Sequence, residues 1–262
     1  MKYKLIACKS MSRELSYLSS LSENIIDITW IRQGYHDTPE ILKSNLQKEV
    51  DLVESGDDAH TNAIFGTQQN PRAGALGDFD AILIGYCLCS NGIVGLHSKS
   101  HTLVIPRGQD CITMFLGSKE RYQKLFNELS GCFWYTASWI ESCGMPCEET
   151  HTREMDFYRQ QGYSEEDLAF FKDALQGWTK NYNYAAYIKM PFYDNPENLQ
   201  FTKDAADYFD WKLKLIDGDM RLFKNFIEGK WDPEDFLIVP PGYKVIATND
   251  DRIIDCVKIE QD

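Results

Sequence analysis

Short apolar runs alternate with longer stretches of helical period along most of the chain. Residues 4–7 are apolar and end in Cys8-Lys9-Ser10; residues 13–20 then carry Leu15 and Leu18 at helical spacing, which predicts a strand feeding a helix. Residues 25–31 predict a second strand. After it, Thr38-Pro39-Glu40 opens a helix with a hydroxyl at the cap and a proline in the first turn, and Ile41, Leu42, Leu46, Val50 and Leu52 carry it to about Glu54. Residues 55–78 lose this periodicity and turn to Gly, Asp, Asn, Gln and Ala around one apolar island, Ala63-Ile64-Phe65. A loop of that length in a compact domain is usually functional or contacts a partner.

The apolar runs 81–86 and 102–105 are too short and too β-branched for helices, so both predict buried strands. Residues 111–129 predict a helix with Met114, Phe115, Tyr122, Leu125 and Phe126 on one side, interrupted early by Gly117-Ser118. A glycine inside a helix costs about 1 kcal/mol against alanine, so the interruption predicts a restart or a close backbone approach. Residues 132–140 are aromatic and β-prone and predict a fifth strand. Residues 148–180 predict one or two helices as an excursion from the sheet, with Ser164-Glu165-Glu166-Asp167 as a helix start. Strand and helix then alternate over 185–190, 198–209, 211–216 and 219–228, and three β-like runs follow at 236–239, 244–247 and 253–259. Alternation repeated this often predicts an α/β fold: a mostly parallel, doubly wound, Rossmann-like sheet that could form two facing halves. The expected division is 1–147, an N-terminal α/β half carrying the thiol motifs, and 148–262, the helical excursion and a C-terminal α/β half packed with it as one unit.

Charge narrows the partners. The chain holds 40 Asp and Glu against 27 Lys and Arg, a formal charge of -13, with no local basic patch. Such a surface repels nucleic acid and anionic membranes. No apolar run approaches the roughly 20 residues that span a bilayer, and the first residues lack a signal-peptide pattern, so the expected location is cytoplasmic. Eight cysteines in such a chain favour metal ligation or free thiols over disulfides.

In an open parallel sheet, ligands bind beyond the C-terminal strand ends, and the reactive groups of this chain gather there. Cys8 ends the first run, Cys87-Leu88-Cys89-Ser90-Asn91-Gly92 follows the run 81–86, and Pro106-Arg107-Gly108-Gln109-Asp110-Cys111 follows the run 102–105. Cys8, Cys89 and Cys111 could converge as three thiolate ligands with one position open, for water or substrate on zinc or as the exposed iron of a four-iron cluster. An all-sulfur set with a vacancy slightly favours the iron-sulfur cluster. The competing reading is three small buried hydrophobes. Cys89 is preferred to Cys87 because the turn toward Asn91-Gly92 begins there.

Arg107 leaves a buried strand end, where an arginine pairs with a carboxylate, here Asp110, or binds an anionic ligand. Asp110 itself reads as a helix cap or as a catalytic carboxylate. Ser90-Asn91-Gly92 and Gly95 form a turn able to present amides to an anion, although no dinucleotide or phosphate-loop pattern is matched. The catalytic candidates are therefore Arg107, Asp110 and Glu141, and the substrate contacts Asn91, Gly92, Arg107 and Trp139, with Trp139 and Glu141 closing the pocket wall. His97 and His101 read as loop residues and Trp134 and Tyr135 as core. Cys143 and Cys147 could clip a metal with Cys132 or His151, a surface loop with free thiols being the plainer reading, and Cys256 reads as packing.

The stretches IACK at 6–9, GYCLCSNGIVGL at 85–96, LVIPRGQDCITMFLGSKERY at 103–122, WIE at 139–141 and GKWDPEDFLIVPPG at 229–242 resemble a bacterial and archaeal domain-of-unknown-function family. Its genes often lie beside corrinoid-dependent methyltransferases and their activating proteins. Cys8, Cys89, Arg107, Asp110 and Cys111 fall on the family's motif positions. A histidine commonly precedes the Asp-Cys pair there, and Gln109 stands in its place, which weakens an acid-base role at that position. The resemblance implies anaerobic one-carbon or corrinoid metabolism.

Three functions follow as expectations. The first is a metal-thiolate small-molecule enzyme, a methyltransferase or lyase, in corrinoid methyl metabolism. A second is a non-catalytic accessory or sensor protein that binds a corrinoid protein or methyltransferase through its acidic surface and the loop 55–78. The third is a metal-free methyltransferase that binds a pterin.

Overall fold

The computed structural model describes residues 1–55, 79–193 and 195–260; the predicted loop 55–78 and its apolar island lie, but for Ser55, outside the described residues. Strands β1 (Lys2–Cys8), β2 (Ile25–Ile31), β3 (Ala81–Gly85), β4 (Leu103–Pro106) and β8 (Phe236–Val239) form a five-stranded sheet in the order β2-β1-β3-β4-β8. The first four run parallel, and β8 runs antiparallel to β4. Every residue of β3 and β4 is buried, as continuous apolar runs in a covered parallel sheet require. Helix α1 (Ser12–Leu21) connects β1 to β2, and α2 (Pro39–Ser55) follows β2. The fold is thus the α/β class expected from the alternation, with a mostly parallel central sheet.

Two details fix how β1 sits in this sheet. Lys4, inside the first apolar run, is fully buried, and its ammonium pairs at 3.3 Å with Asp27, the residue opposite it on β2. A charge with no exposure is tolerated only when paired, so the contact holds one register of β1 against β2. On the other side, a Cβ at Gly85 would lie 2.5 Å from the Ala7 Cβ and 3.0 Å from its Cα. Strands β1 and β3 therefore approach more closely than any side chain at 85 would allow. Strand order reverses between these two, since the chain adds β2 on one side of β1 and β3 and β4 on the other. Such a reversal opens a crevice at the C-terminal strand ends.

The chain forms two compact units, 1–119 with 220–262, and 120–219. These boundaries differ from the division at 147 read from the sequence, because β8 returns to complete the N-terminal sheet. The first unit also contains α3 (Ile112–Leu116), α9 (Arg221–Glu228) and an antiparallel hairpin of β9 (Tyr243–Ala247) and β10 (Ile254–Lys258). The second unit is built on a parallel three-stranded sheet, β5 (Cys132–Thr136), β6 (Tyr184–Lys189) and β7 (Lys212–Asp217), with α5 (Ala137–Ser142), α6 (Glu148–Gln160), α7 (Glu165–Gln176) and α8 (Pro196–Phe209). Helix α4 (Lys119–Glu128) begins at the boundary.

Two predictions shift. The expected helix over 111–129 is two helices, α3 ending at Gly117 in the left-handed region, φ 77°, and α4 restarting after it. The expected strand over 132–140 stops at Thr136, whose hydroxyl accepts the Trp139 amide at 3.1 Å and caps α5. Among the described residues no helix is long and apolar enough to cross a membrane.

Candidate functional site

The ends of β1, β3 and β4 meet at the reversal point. The last paired residues of β1 and β3 are Ala7 and Gly85, so the next residue on each strand brings Cys8 level with Tyr86. Both are buried. Beyond Tyr86 the chain is tied to the loop after β4, with the Leu88 amide donating to Gly108 O and the Cys89 amide to Gln109 O, both at 2.9 Å. Cys89, Ser90 and Asn91 then take φ values of 45°, 57° and 67°, and the Gly92 amide closes the turn on Cys89 O at 3.0 Å. Three consecutive left-handed residues that are not glycine each cost about 1–2 kcal/mol. The turn is held by packing: a Cβ on Gly92 would lie 2.4 Å from the Leu42 Cδ2 of α2.

Cys111 opens α3, one residue after Asp110, whose Oδ1 accepts the Ile112 amide at 2.9 Å. The capping reading of Asp110 is the one seen. Cys89 and Cys111 each keep some exposed surface, yet burial is the main cause that lifts their thiol pKa values well above the ordinary range, as it does for Cys87. After burial, Cys111 and Asp110 raise Cys87, Cys87 and Asp110 raise Cys89, Cys89 and Asp110 raise Cys111, and Cys8 adds to the rise at both Cys89 and Cys111. The Tyr86 phenol is also raised, first by burial and then by Cys8, Cys89 and Cys111 together. Thus the three cysteines singled out in the sequence share one neighbourhood, with Tyr86 common to all of them.

Several buried polar atoms here have no hydrogen-bond partner: Ser10 Oγ, Tyr86 OH and Thr113 Oγ1. Tyr86 OH adjoins the Cys8 thiol and Ser10 Oγ the Cys111 thiol, so sulfur stands where an oxygen or nitrogen partner would for these two hydroxyls. The cluster is not a finished metal cage. Among the described residues no three His, Cys, Asp or Glu side chains are arranged to hold one ion.

The other sequence candidates have local roles. Arg107 does not reach for Asp110: its Nε donates to Pro233 O at 2.8 Å, and Nη1 donates to Arg252 O at 3.0 Å and to Ile254 O. Its charged neighbours are Asp255, Arg252 and Glu234. The guanidinium therefore clamps the C-terminal segment onto β4. Arg107→Lys is expected to lower stability by about 1–3 kcal/mol, through lost charged hydrogen bonds to carbonyls, with no change in any ligand affinity; denaturant melts beside a binding titration check this.

Asn91 is exposed within the left-handed turn, and Gly92 is buried against α2. In the second unit, Glu141 Oε1 accepts from Tyr193 OH at 3.1 Å and Asn198 Nδ2 at 3.0 Å, while Trp139 is half-buried on the same helix α5. Trp134 and Tyr135 are core, as expected. The Cys147 thiol caps α6, accepting the Thr150 amide at 3.5 Å, and the Cys143 thiol lies 3.2 Å from Ser142 Oγ. His97 and His101 bond within their own loop, to Gly95 O and Ser100 Oγ.

Tyr86, Ser10 and Thr113 were not among the sequence candidates. Tyr86 looked like the last residue of an apolar run, and only its hydroxyl at a strand end hinted at more. The family model described as "Protein of unknown function (DUF1638)" matches residues 30–227. The chain belongs to the DUF1638 family. The DUF1638 match covers Tyr86, Cys89 and Cys111 but ends short of Cys8 and of the carbonyls that hold Arg107. No curated protein and no solved structure matches the chain.

Proposed function

We propose that this DUF1638 protein is a small-molecule enzyme whose reactive centre is a soft metal held by Cys8, Cys89 and Cys111 at the C-terminal edge of the sheet. The observation that carries the reading is the gathering of three thiols, from three separate strand ends, around the buried Tyr86 phenol. Donor chemistry fits: thiolates suit zinc and iron-sulfur clusters, and three of them leave a position for substrate. Cysteine has a single side-chain torsion to its sulfur, so rotamer changes and loss of the thiol protons would draw neighbouring sulfurs onto an ion. A bound metal would supply Lewis-acid chemistry at its open position. The chain's own residues would exclude water, through the buried strand ends, and hold Cys89 in place through the turn packed on Leu42. The resemblance adds the setting to the proposal: cytoplasmic one-carbon or corrinoid methyl metabolism, with a corrinoid protein or methyltransferase as partner.

Anaerobic purification with iron, zinc and acid-labile sulfide analysis tests this. Expected is a stoichiometric metal in the wild type that is lost when Cys8, Cys89 and Cys111 are all replaced by serine. A folded wild type that holds neither iron nor zinc and takes up neither on reconstitution would remove the proposal.

A further inference from the structure

We propose that β2 is a homodimer interface: this open edge of the five-stranded sheet pairs antiparallel with β2 of a second copy, about a two-fold axis at Ile28. The proposal stands apart from the thiol-centred reading and uses none of its residues. Strand β2 has β1 on one side only. The Ile25 amide donates to Met1 O, so in the parallel ladder Ile25, Asp27, Thr29 and Ile31 turn their backbone groups to β1, and Ile26, Ile28 and Trp30 turn theirs outward. Natural sheets commonly guard such an edge with lysine, proline or a bulge. The edge strand β7 of the second unit carries Lys212 and Lys214. Strand β2 reads IIDITWI: it has no lysine, arginine or proline, pairs with β1 without a bulge, and has one charge, Asp27, bound to Lys4.

The strand is complementary to itself. Centred on Ile28, antiparallel pairing sets Ile28 against its own symmetry mate, Ile26 against Trp30, Ile25 against Ile31 and Asp27 against Thr29. Every apolar residue then meets an apolar one, and no like charges face each other. An axis at Asp27 would set two carboxylates face to face. In the favoured register the three outward-turned residues exchange both N–H···O bonds with those opposite them. The flanking charges agree. Glu23 and Arg32 are exposed just beyond the two ends of the strand, and neither makes an ion pair among the described residues. Antiparallel pairing brings Glu23 of each copy within side-chain reach of Arg32 of the other. A net charge of -13 drives copies of the chain apart, so contact is favoured where charge cancels locally, as Glu23, Asp27, Arg32 and Lys4 do here. The two-fold lies perpendicular to the sheet, joins five strands from each copy into one sheet and turns the two C-terminal rims in opposite directions.

Sedimentation equilibrium of the full-length chain over a range of concentrations, with hydrogen exchange read at the β2 amides, tests this. Expected for the wild type is a monomer–dimer equilibrium in which the Ile26, Ile28 and Trp30 amides exchange more slowly as the dimer fills. Ile28→Lys sets two ammonium groups opposite each other at the axis and should leave the chain monomeric. Arg32→Glu lies outside the strand and should weaken the dimer roughly tenfold, since two repulsive contacts replace two attractive ones. Adding Glu23→Arg should restore the wild-type affinity. A wild type that stays monomeric, whether its β2 amides exchange freely or are protected by its own chain, would overturn the proposal, as would a dimer that Ile28→Lys and Arg32→Glu both leave intact. If Ile28→Lys does not fold, Arg32→Glu and its rescue by Glu23→Arg read the same contact.

Discussion

Gly85→Ala is expected to lower the stability of the first unit by about 1–3 kcal/mol, the cost of forcing atoms into a packed core, and Gly85→Val by more. The added methyl group would meet the Ala7 Cβ at 2.5 Å and, at 3.0 Å, the Ala7 Cα, which belongs to the backbone of β1 and cannot rotate away. Relief requires β1 and β3 to separate, and that spacing is what sets Cys8 beside Tyr86. The defect should therefore appear twice, as a lower denaturant midpoint and as loss of cobalt(II) uptake. Gly144→Ala is the control, since nothing lies within 4 Å of its Cβ position and its φ is not left-handed. It should leave the midpoint within about 0.5 kcal/mol of wild type. Equal midpoints for Gly85→Ala and Gly144→Ala would show that β1 and β3 are free to part.

Metal affinity is expected to rise at least about a hundredfold per pH unit between pH 6 and 8. The sign follows from the folded thiols. Burial, with help from neighbouring sulfurs and Asp110, raises the Cys89 and Cys111 pKa values well above the ordinary range, so both hold their protons at neutral pH. Binding as thiolates must release at least those two protons, and each released proton contributes about one decade of affinity per pH unit below its pKa. Affinity falls on acidification and flattens only above the raised pKa values. Cobalt(II) titrations at pH 6.5, 7.0 and 7.5 read the slope directly. A slope near zero would mean that fewer thiols ligate, or that they are already ionised.

Much of this arrangement is legible in the residues, and the exceptions have physical causes. Strands β1 to β4 stand out because each is a short apolar run ending at small or polar residues, and once their order is fixed, Cys8, Cys89 and Cys111 must come to one edge. The role of Arg107 is not legible, because its three carbonyl acceptors lie far along the chain and carbonyls carry no residue identity. Trp139 and Ile140 favour strands, yet they fall in α5, where the Thr136 cap and local packing outweigh propensity. The sulfurs of the thiol cluster stop short of a cage because strand topology brings residues to a neighbourhood and side-chain torsions decide the last few ångströms. Tyr86 is hidden by its own burial: within an apolar run its ring reads as core, and only the thiols around its hydroxyl set it apart.

The return of β8 to the edge of β4 also bears on synthesis. While the ribosome makes residues 120–219, the nascent sheet has β4 as an open border, with backbone groups that β8 will later pair. At cellular elongation rates that exposure lasts on the order of ten seconds. The lateral border of β4 is thus closed to other chains only once β8 has been made, and a chaperone holding that border until then would guard the sheet from mispairing.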